Sequence, residues 1–304
     1  MAIRGNRIYH VNSNCSDLDR SVLFYEALGL NRVLRTVPSR AQSGSAFGLD
    51  EVAWDAWMMH SDDGMDGLSL DLLEWTTPAP EGAAPATTGE PGFNRLVFTV
   101  PDLDAAVAGA RATGGSLIGG PIPVEMNGAT NRVAMLGDPD GVAVQLVEGD
   151  RVSIAQVVVN CADIDESLDY YRDVMGLRPV GPVEVVSQPA LLHGLDQDGS
   201  IKAAVLADAG SVFTVVLVEW MDPLVPSAPR IRSANELGLF RMAWSTDDCA
   251  GDEAVVRVAG SVPFAPAGEL SVGDDLPLLL VLFWPGPNGE CLEVIEVTDR
   301  SGAL

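Results

Sequence analysis

The sequence predicts an α+β protein built from four similar modules, each made of one strand, one helix and several further strands. First, short related segments recur along the chain, and they begin at residues 16 (SDLD), 101 (PDLD), 162 (ADID) and 246 (TDDC). Second, strand-like and helix-like patterns follow one another in the same order around each of these segments. The spacing is long, short, long, which indicates a pair of modules used twice.

Each module begins with an apolar strand that leads into a helix. The leading strands read RIYHVNS, NRLVFTV, IAQVVVN and FRMAWST. An Asp follows each strand at the expected helix N-cap, where its side chain accepts a hydrogen bond from a free backbone amide. Helical spacing of apolar residues comes next, as in LDRSVLFYEALG and IDESLDYYRDVMG. The final strands are apolar and read LSLDLLEW, VAVQLVEG, VFTVVLVEW and ECLEVIEV.

The repeat also predicts the domain organisation. We place the modules at residues 1–77, 92–149, 150–221 and 238–304, and two domains at 1–149 and 150–304. The segments 78–92 and 221–238 are the expected linkers within each pair. Residues 8–19 (IYHVNSNCSDLD) and 154–165 (IAQVVVNCADID) share one frame, but His10 in the first is replaced by Gln156 in the second.

Composition restricts the partners and the location of the protein. The formal net charge of −25 repels phosphate backbones and anionic membranes, so neither nucleic acid nor a membrane is expected as a partner. No apolar run approaches the ~20 residues of a membrane span, and the start MAIRGNRIYH lacks an apolar signal core. The four cysteines form no CxxC pair. We expect a cytoplasmic monomer or homodimer that binds a small molecule.

The segments DLDRSVLFYEALGL, DPDGVAVQLVE and LLEW, set in four such modules, resemble the vicinal oxygen chelate superfamily, which is the glyoxalase, bleomycin-resistance and extradiol-dioxygenase group. The resemblance implies two glyoxalase-like domains whose curled mixed sheets form cups around a small molecule, usually with a divalent metal. The activities of the group include lyases, isomerases, epimerases, ring-cleaving dioxygenases and thiol transferases, and some members only sequester drugs. The site must therefore decide the function.

The resemblance implies two metal-ligand positions in each module, and the internal repeat locates them. The position seven residues before the capping Asp holds His10, Arg95, Gln156 and Arg241. The position three residues before a Glu that recurs in each last strand holds Asp71, Gln145, Val216 and Glu293. Because residues three apart on a strand point to opposite faces, the recurring Glu is expected to point away from the cup.

The pairing of the modules decides what each cup contains, and the sequence leaves two arrangements open. If modules one and two pair, one cup holds His10, Asp71, Arg95 and Gln145. The other cup then holds Gln156, Val216, Arg241 and Glu293. Neither set is a convincing metal site, because a guanidinium cannot act as a ligand. If modules one and four pair, His10, Asp71 and Glu293 meet beside Arg241 and form a candidate metal site. No metal is therefore assigned, and a divalent metal remains the alternative.

The ligand-binding candidates are Arg95, Gln145, Gln156, Arg241 and Trp57. Because an inward-pointing Arg is costly to bury unpaired, Arg95 and Arg241 are expected to pair with carboxylates, with Asp71 and Glu293 as the candidates. Recognition of a ligand oxygen is the alternative role of these two side chains. Trp57 is included because an aromatic lining suits a flat ligand.

The catalytic candidates are His10, Asp71 and Glu293, and two functions compete. The first is an enzyme of lyase, isomerase, cyclase or oxygenase type with a degenerate metal site, acting on an oxygenated, aromatic or polyketide-like molecule. In it, His10 or a carboxylate moves a proton and an Arg stabilises negative charge on oxygen. The second is a ligand-sequestering protein of the drug-resistance type. An extradiol dioxygenase is disfavoured, because the two-His, one-Glu iron site of that group finds one His candidate here.

Overall fold

The structure, a computed structural model, describes residues 2–5, 7–85, 89–126, 128–208, 211–224 and 227–298. Residues 86–88 and 225–226 of the predicted linkers, and 299–304 at the end of module four, lie outside the described residues. The described residues contain five α-helices and eighteen strands, and the strands form two curled mixed sheets. The predicted α+β class is confirmed.

Modules one and two follow the expected order of strand, helix and further strands. Module one contains β1 (Arg7–Asn14), α1 (Leu18–Ala27), β2 (Asn31–Thr36), β3 (Gln42–Ser43), β4 (Glu51–His60) and β5 (Ser69–Thr77). Module two contains β6 (Gly92–Val100), α2 (Leu103–Ala112), β7 (Ser116–Met126), β8 (Ala129–Gly137) and β9 (Ala143–Glu148).

Modules three and four repeat this order, with one additional short helix in module three. Module three contains β10 (Ser153–Asn160), α3 (Ile164–Asp173), β11 (Arg178–Pro179), β12 (Glu184–Gln188), α4 (Ala190–His193), β13 (Gly199–Ala207) and β14 (Thr214–Asp222). Module four contains β15 (Gly238–Ser245), α5 (Cys249–Val258), β16 (Gly268–Leu270), β17 (Leu279–Pro285) and β18 (Cys291–Val297).

The sheets show which modules pair. The first sheet has the order β16-β17-β18-β15-β1-β5-β4-β2, and β3 pairs with β4. The second has the order β11-β13-β14-β10-β6-β9-β8-β7, and β12 pairs with β13. Because β1 pairs with β15 and β10 pairs with β6, modules one and four form one sheet and modules two and three form the other.

The arrangement in which modules one and two share a cup is therefore wrong. Each sheet takes one module from each half of the chain, since the free edge of β1 is occupied by β15 rather than by β6. We call the concave side of the sheet of modules one and four the first cup, and that of modules two and three the second cup. The boundary between 149 and 150 separates the halves of the sequence repeat, and its role as a domain boundary stays a prediction.

The four long helices begin where the sequence places them. Asp17, Asp102, Asp163 and Asp248 are the N-caps, and the side chain of each accepts a hydrogen bond from an amide of the first turn. In three modules the recurring Glu of the last strand adds a second bond, to the first amide of the same helix. The pairs are Glu74 with Leu18 N at 2.8 Å, Glu219 with Ile164 N at 2.9 Å, and Glu296 with Cys249 N at 3.0 Å. These carboxylates point towards the helices and away from the cups.

The main hydrophobic core lies on the helix side of the sheets and joins all four modules. It includes Phe24, Phe98, Tyr171 and Trp244, each buried. Two smaller apolar clusters lie on the cup sides, one with Trp54 and Phe283 and the other with Leu192 and Trp220. The fold therefore separates a structural core from two concave faces. Among the described residues, no helix has the length and apolar character that crossing a membrane requires.

Candidate functional site

Four polar side chains lie on four neighbouring strands at the floor of the first cup. The strands β18, β15, β1 and β5 are adjacent in the sheet and carry Glu293, Arg241, His10 and Asp71 in that order. All four residues are buried, with between 2 and 7 % of their surface exposed. This is the set expected if modules one and four share a cup. We call these four residues the polar floor.

The Arg241 guanidinium joins the two carboxyl groups of the polar floor. Its Nη2 donates to Asp71 Oδ2 at 2.7 Å, and its Nε donates to Glu293 Oε2 at 2.9 Å. The predicted pairing of Arg241 with these carboxylates is thus present. His10 lies alongside, with its Nε2 atom 3.6 Å from Glu293 Oε2 and 4.0 Å from Asp71 Oδ2. One cation therefore faces two carboxyl groups and an imidazole.

Burial controls the protonation of the polar floor. It lowers the pKa of His10 well below the ordinary value, and the nearby Arg241 charge lowers it further, so the imidazole is neutral at neutral pH. Burial raises the pKa of Glu293 to about 7, although Arg241 opposes the shift. Burial also raises the pKa of Asp71, against the opposing effects of Arg241 and Asn12. Because these groups interact closely, their protons are exchanged as a coupled set.

Three buried nitrogen atoms of the polar floor have no hydrogen-bond partner within the described residues. They are both ring nitrogens of His10 and the Nη1 atom of Arg241. Buried polar atoms are nearly always hydrogen-bonded in folded proteins. Three open positions on two adjacent side chains are therefore available for hydrogen bonds with a polar group in the cup.

A cavity of about 400 Å³ lies directly on the polar floor. All four polar-floor residues line it, together with Tyr9, Arg7, Thr36 and Ser245. Its walls are apolar and consist of Leu34, Phe47, Trp54, Met58, Leu73, Leu270, Val272, Leu276, Pro277, Leu279, Ile295 and Val297. An apolar cavity of this size with a few convergent polar groups is typical of small-molecule sites.

Tyr9 is a lining residue that the sequence did not predict. Strict alternation along β1 would place neighbouring Tyr9 and His10 on opposite faces of the sheet. The pairing of β1 with β15 shifts register between Ile8 and His10, so a β-bulge turns Tyr9 towards the cup as well. Its ring meets the His10 ring edge-on, with centroids 5.4 Å apart. No signal in the sequence marks the bulge.

The polar floor does not fit the divalent metal that the resemblance implies. His10, Asp71 and Glu293 converge, but the Arg241 guanidinium already donates to both carboxylates from between them. A permanent positive charge at this place repels a metal cation, and the guanidinium already occupies one oxygen of each carboxyl group. Among the described residues, no group of three or more His, Cys, Asp or Glu side chains is arranged to hold a metal ion.

The other predicted ligand-binding residues, except Trp57, lie in the second cup. Arg95 donates to Gln145 Oε1 and to Asn94 Oδ1, both at 2.9 Å, and burial lowers its pKa to about 10. Its expected pairing with Asp71 or Glu293 is wrong, because both carboxylates belong to the other sheet. Gln156 donates to Thr214 Oγ1 at 3.2 Å. Ligand binding by Arg95, Gln145 and Gln156 stays a prediction.

Trp57 lies on the helix side of the first sheet and is absent from the cavity lining. Arg32 and Arg35 lie over its ring, 5.6 and 5.7 Å from the centroid. Its assignment to the cup is corrected by the alternation of β4, which turns Trp54 and Met58 towards the cavity instead. The aromatic lining that the sequence predicts is present, but a different tryptophan supplies it.

Comparisons with known proteins agree with this architecture. The family model of the Glyoxalase/Bleomycin resistance protein/Dioxygenase superfamily matches residues 7–146. Glyoxalase I from Zea mays is similar in structure, with a TM-score of 0.66 at 16 % identity, over 96 % of this chain and 92 % of that one. A protein from Bacillus subtilis has a TM-score of 0.58 at 15 % identity, over 98 % of this chain and 87 % of that one. A comparison with curated proteins finds no match.

The matched region, the fourfold repeat and the shared fold define a class of protein with paired βαβββ modules around two concave faces. Residues 7–146 are similar to the glyoxalase, bleomycin-resistance and dioxygenase superfamily, and the chain as a whole shares the fold of glyoxalase I from Zea mays. At this level of identity the structural neighbours show the fold alone. Substrate and reaction must be argued from the polar floor.

Proposed function

We propose that the protein is a small-molecule enzyme that transfers a proton next to a carbonyl or hydroxyl oxygen in the first cup, without a metal. The observation that carries the proposal is the neutral His10 imidazole, whose two nitrogens are buried at the cavity floor with no hydrogen-bond partner among the described residues. A structural histidine in a packed interior would be hydrogen-bonded. A histidine held open towards a cavity is available to accept a proton from a ligand.

The surroundings of His10 suit a base that becomes charged only during the reaction. When the imidazole takes a proton, it becomes a cation within 3.6 to 4.0 Å of the Glu293 and Asp71 carboxyl groups. Opposite charges at this distance stabilise each other strongly in a buried site. The carboxyl groups thus stabilise the protonated product of the transfer, while the free base stays neutral because it is buried beside Arg241.

Arg241 supplies the matching stabilisation of negative charge. Its Nε and Nη2 atoms hold the two carboxylates, and its buried Nη1 remains free to donate to a ligand oxygen. When a proton leaves a carbon beside a carbonyl, the electron pair moves to that oxygen and an enolate forms. A fixed donor placed before the reaction lowers the energy of such an oxyanion.

Glu293 is suited to pass the proton on. A carboxyl group with a pKa of about 7 is present in both protonation states near neutral pH. It lies beside His10 and lines the same cavity. It can therefore accept the proton from the imidazolium or return one to the product, so that the site is reset without a metal-bound water.

The experiment is hydrogen–deuterium exchange of a panel of enolisable ring ketones, followed by proton NMR after dialysis against a chelator. His10→Gln is the control, because the repeat itself carries Gln156 at this place and the scaffold accepts it. We expect exchange in the wild type and a loss of ~10²- to 10⁴-fold in the variant, the usual contribution of a general base. Exchange that is equal in both proteins would contradict the assignment of His10.

Sequestration of a ligand is the second candidate function, and the apolar walls of the cavity favour it. The cavity has an apolar surface without catalytic groups, formed in part by Trp54, Phe47 and Ile295. Sequestration predicts that a ligand binds wild type and His10→Gln with equal affinity and that no member of the panel exchanges. The comparison of wild type with His10→Gln therefore distinguishes the two functions.

A further inference from the structure

The charges of the polar floor are already matched within the protein. One guanidinium faces two carboxyl groups, through bonds of 2.7 Å to Asp71 and 2.9 Å to Glu293. The imidazole beside them is neutral. An anionic group of a ligand would meet no unpaired positive charge here, and it would lie close to two acidic side chains. Burying such a group without a partner is costly.

The open atoms of the polar floor nevertheless require a polar ligand group. Arg241 Nη1 offers an N–H donor, and a neutral imidazole offers one donor and one acceptor. A carbonyl oxygen accepts from the two donors, and a phenol can in addition donate to the acceptor nitrogen of the imidazole; neither group adds charge. The recognised group is therefore an uncharged oxygen function rather than a carboxylate.

The walls of the cavity add a requirement for shape. Phe47 and Trp54 meet edge-on, with ring centroids 6.1 Å apart, and Trp54 Nε1 donates to Thr36 Oγ1 at 3.2 Å. These contacts fix aromatic surfaces on one side of the cavity of about 400 Å³. Fixed aromatic and aliphatic walls favour a ring system that stacks or packs edge-on against them.

We propose that the first cup selects an uncharged ring compound that presents a ketone or phenol oxygen to Arg241, and that it rejects the corresponding ring carboxylate. The inference rests on the site of the proposed function and names its substrate class. It predicts binding and needs no turnover. It can therefore fail or hold independently of proton transfer.

Arg7 is the other cation of the cavity lining and offers a different way to bind an acid. Its Nη1 donates to the carbonyl oxygen of Met65 at 2.6 Å. A carboxylate bound there would depend on Arg7 and not on Asp71. An Arg7→Met variant therefore separates binding through Arg7 from binding at the polar floor.

The test measures the affinity of 2-acetylnaphthalene, 2-naphthol and 2-naphthoate by calorimetry at pH 7.5. We expect the neutral probes to bind wild type at least about tenfold more tightly than the carboxylate, since like charges placed together cost several kcal/mol. In Asp71→Asn the freed guanidinium should reverse or abolish this preference. Glu293→Gln removes the other carboxylate that faces Arg241 and serves as a second variant if the first does not fold.

Several results would overturn the inference. One is a wild type that binds 2-naphthoate as tightly as the ketone. Another is a preference that stays unchanged in both Asp71→Asn and Glu293→Gln. If none of the three naphthyl probes binds, the proposal that the ligand is a ring compound is contradicted. If 2-naphthoate binds and Arg7→Met abolishes that binding, the cavity accepts acids through Arg7. If the preference holds while the exchange experiment with His10→Gln fails, only the catalytic proposal is lost.

Discussion

At the scale of single residues, His10 in the first cup and Gln156 in the second show that two cups with the same scaffold carry different polar groups. His10 lies among charged groups on the first sheet, whereas Gln156 donates to Thr214 on the second. The same contrast holds for the two arginines. Arg241 bridges two carboxylates, while Arg95 bonds to amide oxygens. The repeat therefore preserves the strands and changes the chemistry at the positions that face the cups.

Arg241 should also be important for stability. Removing one partner of a buried ion pair leaves an uncompensated charge, so Arg241→Met should cost about 3–5 kcal/mol in the free energy of unfolding at pH 8. The loss should shrink at pH 5. Without the cation, burial keeps Asp71 and Glu293 protonated in the folded state at higher pH than in the unfolded state, so acid favours the folded variant.

Urea denaturation at the two pH values measures this effect. Arg172→Met is the control, because Arg172 pairs with Asp169 and Asp173 on an exposed helix surface and little change is expected. Equal losses at pH 5 and pH 8 in Arg241→Met would show that the ion pairs do not control the stability of the site.

Glu290 gives a second pH-dependent prediction. Burial raises its pKa to about 7, even though Tyr171 OH and Asn288 N both donate to it. The folded protein therefore holds this proton at pH values where the unfolded chain, with a pKa of about 4.3, has lost it. The stabilisation is complete below about pH 4 and is lost as pH rises through 7.

Glu290→Gln keeps the shape of the side chain and removes its titration. Relative to wild type, the variant should become more stable as pH rises from 5 to 8, as measured by chemical denaturation at each pH. A difference between the two proteins that is constant over this range would place the pKa of Glu290 near its ordinary value.

At the scale of elements, each helix is held by its Asp cap and, in three modules, by a Glu from the last strand. Asp17 caps α1 from the side of β1, and Glu74 of β5 accepts from Leu18 N at 2.8 Å. Two strands of the cup are thereby tied to the first turn of the same helix. This explains why the Glu recurs in the sequence although it does not face the cup.

Glu74→Ala should lower the free energy of unfolding by ~1 kcal/mol, the usual value for loss of a helix cap. Glu148→Ala is the matched control, because Glu148 occupies the equivalent place in module two and binds the side chain of Arg132 on an exposed surface. Its effect should be clearly smaller. Similar losses in the two variants would argue against the capping role, and thermal or urea unfolding measures both.

The sequence predicts the helix starts well, because a helix cap depends on residues that are neighbours along the chain. An Asp before a helical pattern is a local signal, so the sequence predicts the caps at Asp17, Asp102, Asp163 and Asp248, and the structure confirms them. The side-chain direction on β4 depends on which strand pairs with it and on which face is covered. For that reason the sequence predicts Trp57 as a lining residue, whereas Trp54 lines the cavity. The bulge at Tyr9 arises from pairing with β15, which lies far away in sequence.

At the scale of the whole molecule, the candidate site forms because the first and last modules pair in one sheet. His10 and Asp71 come from module one, and Arg241 and Glu293 come from module four. The repeat predicts the positions of these four residues. It does not predict that they lie in one cup, because module pairing depends on long-range contacts rather than on local patterns. The fold class and the four positions of the polar floor are thus predictable from the sequence, but the pairing of the modules is not.

This arrangement predicts the behaviour of the two halves of the chain. Residues 1–149 expressed alone lack β15 and β10, the partners of β1 and β6, so both unpaired strands leave an open sheet edge. We expect neither 1–149 nor 150–304 to unfold cooperatively by itself, and a mixture to form a 1:1 complex. Circular dichroism and size-exclusion chromatography measure this. A stable, cooperatively folded half would contradict the pairing.

The most direct test of the central claim combines metal content with proton exchange on the same sample. The wild type and His10→Gln are dialysed against a chelator, their metal content is measured by mass spectrometry, and exchange of an enolisable ring ketone is followed by NMR. The account predicts exchange by metal-free wild type and a loss of ~10²-fold or more in His10→Gln. Exchange that disappears with the metal and returns when a divalent cation is added would contradict it.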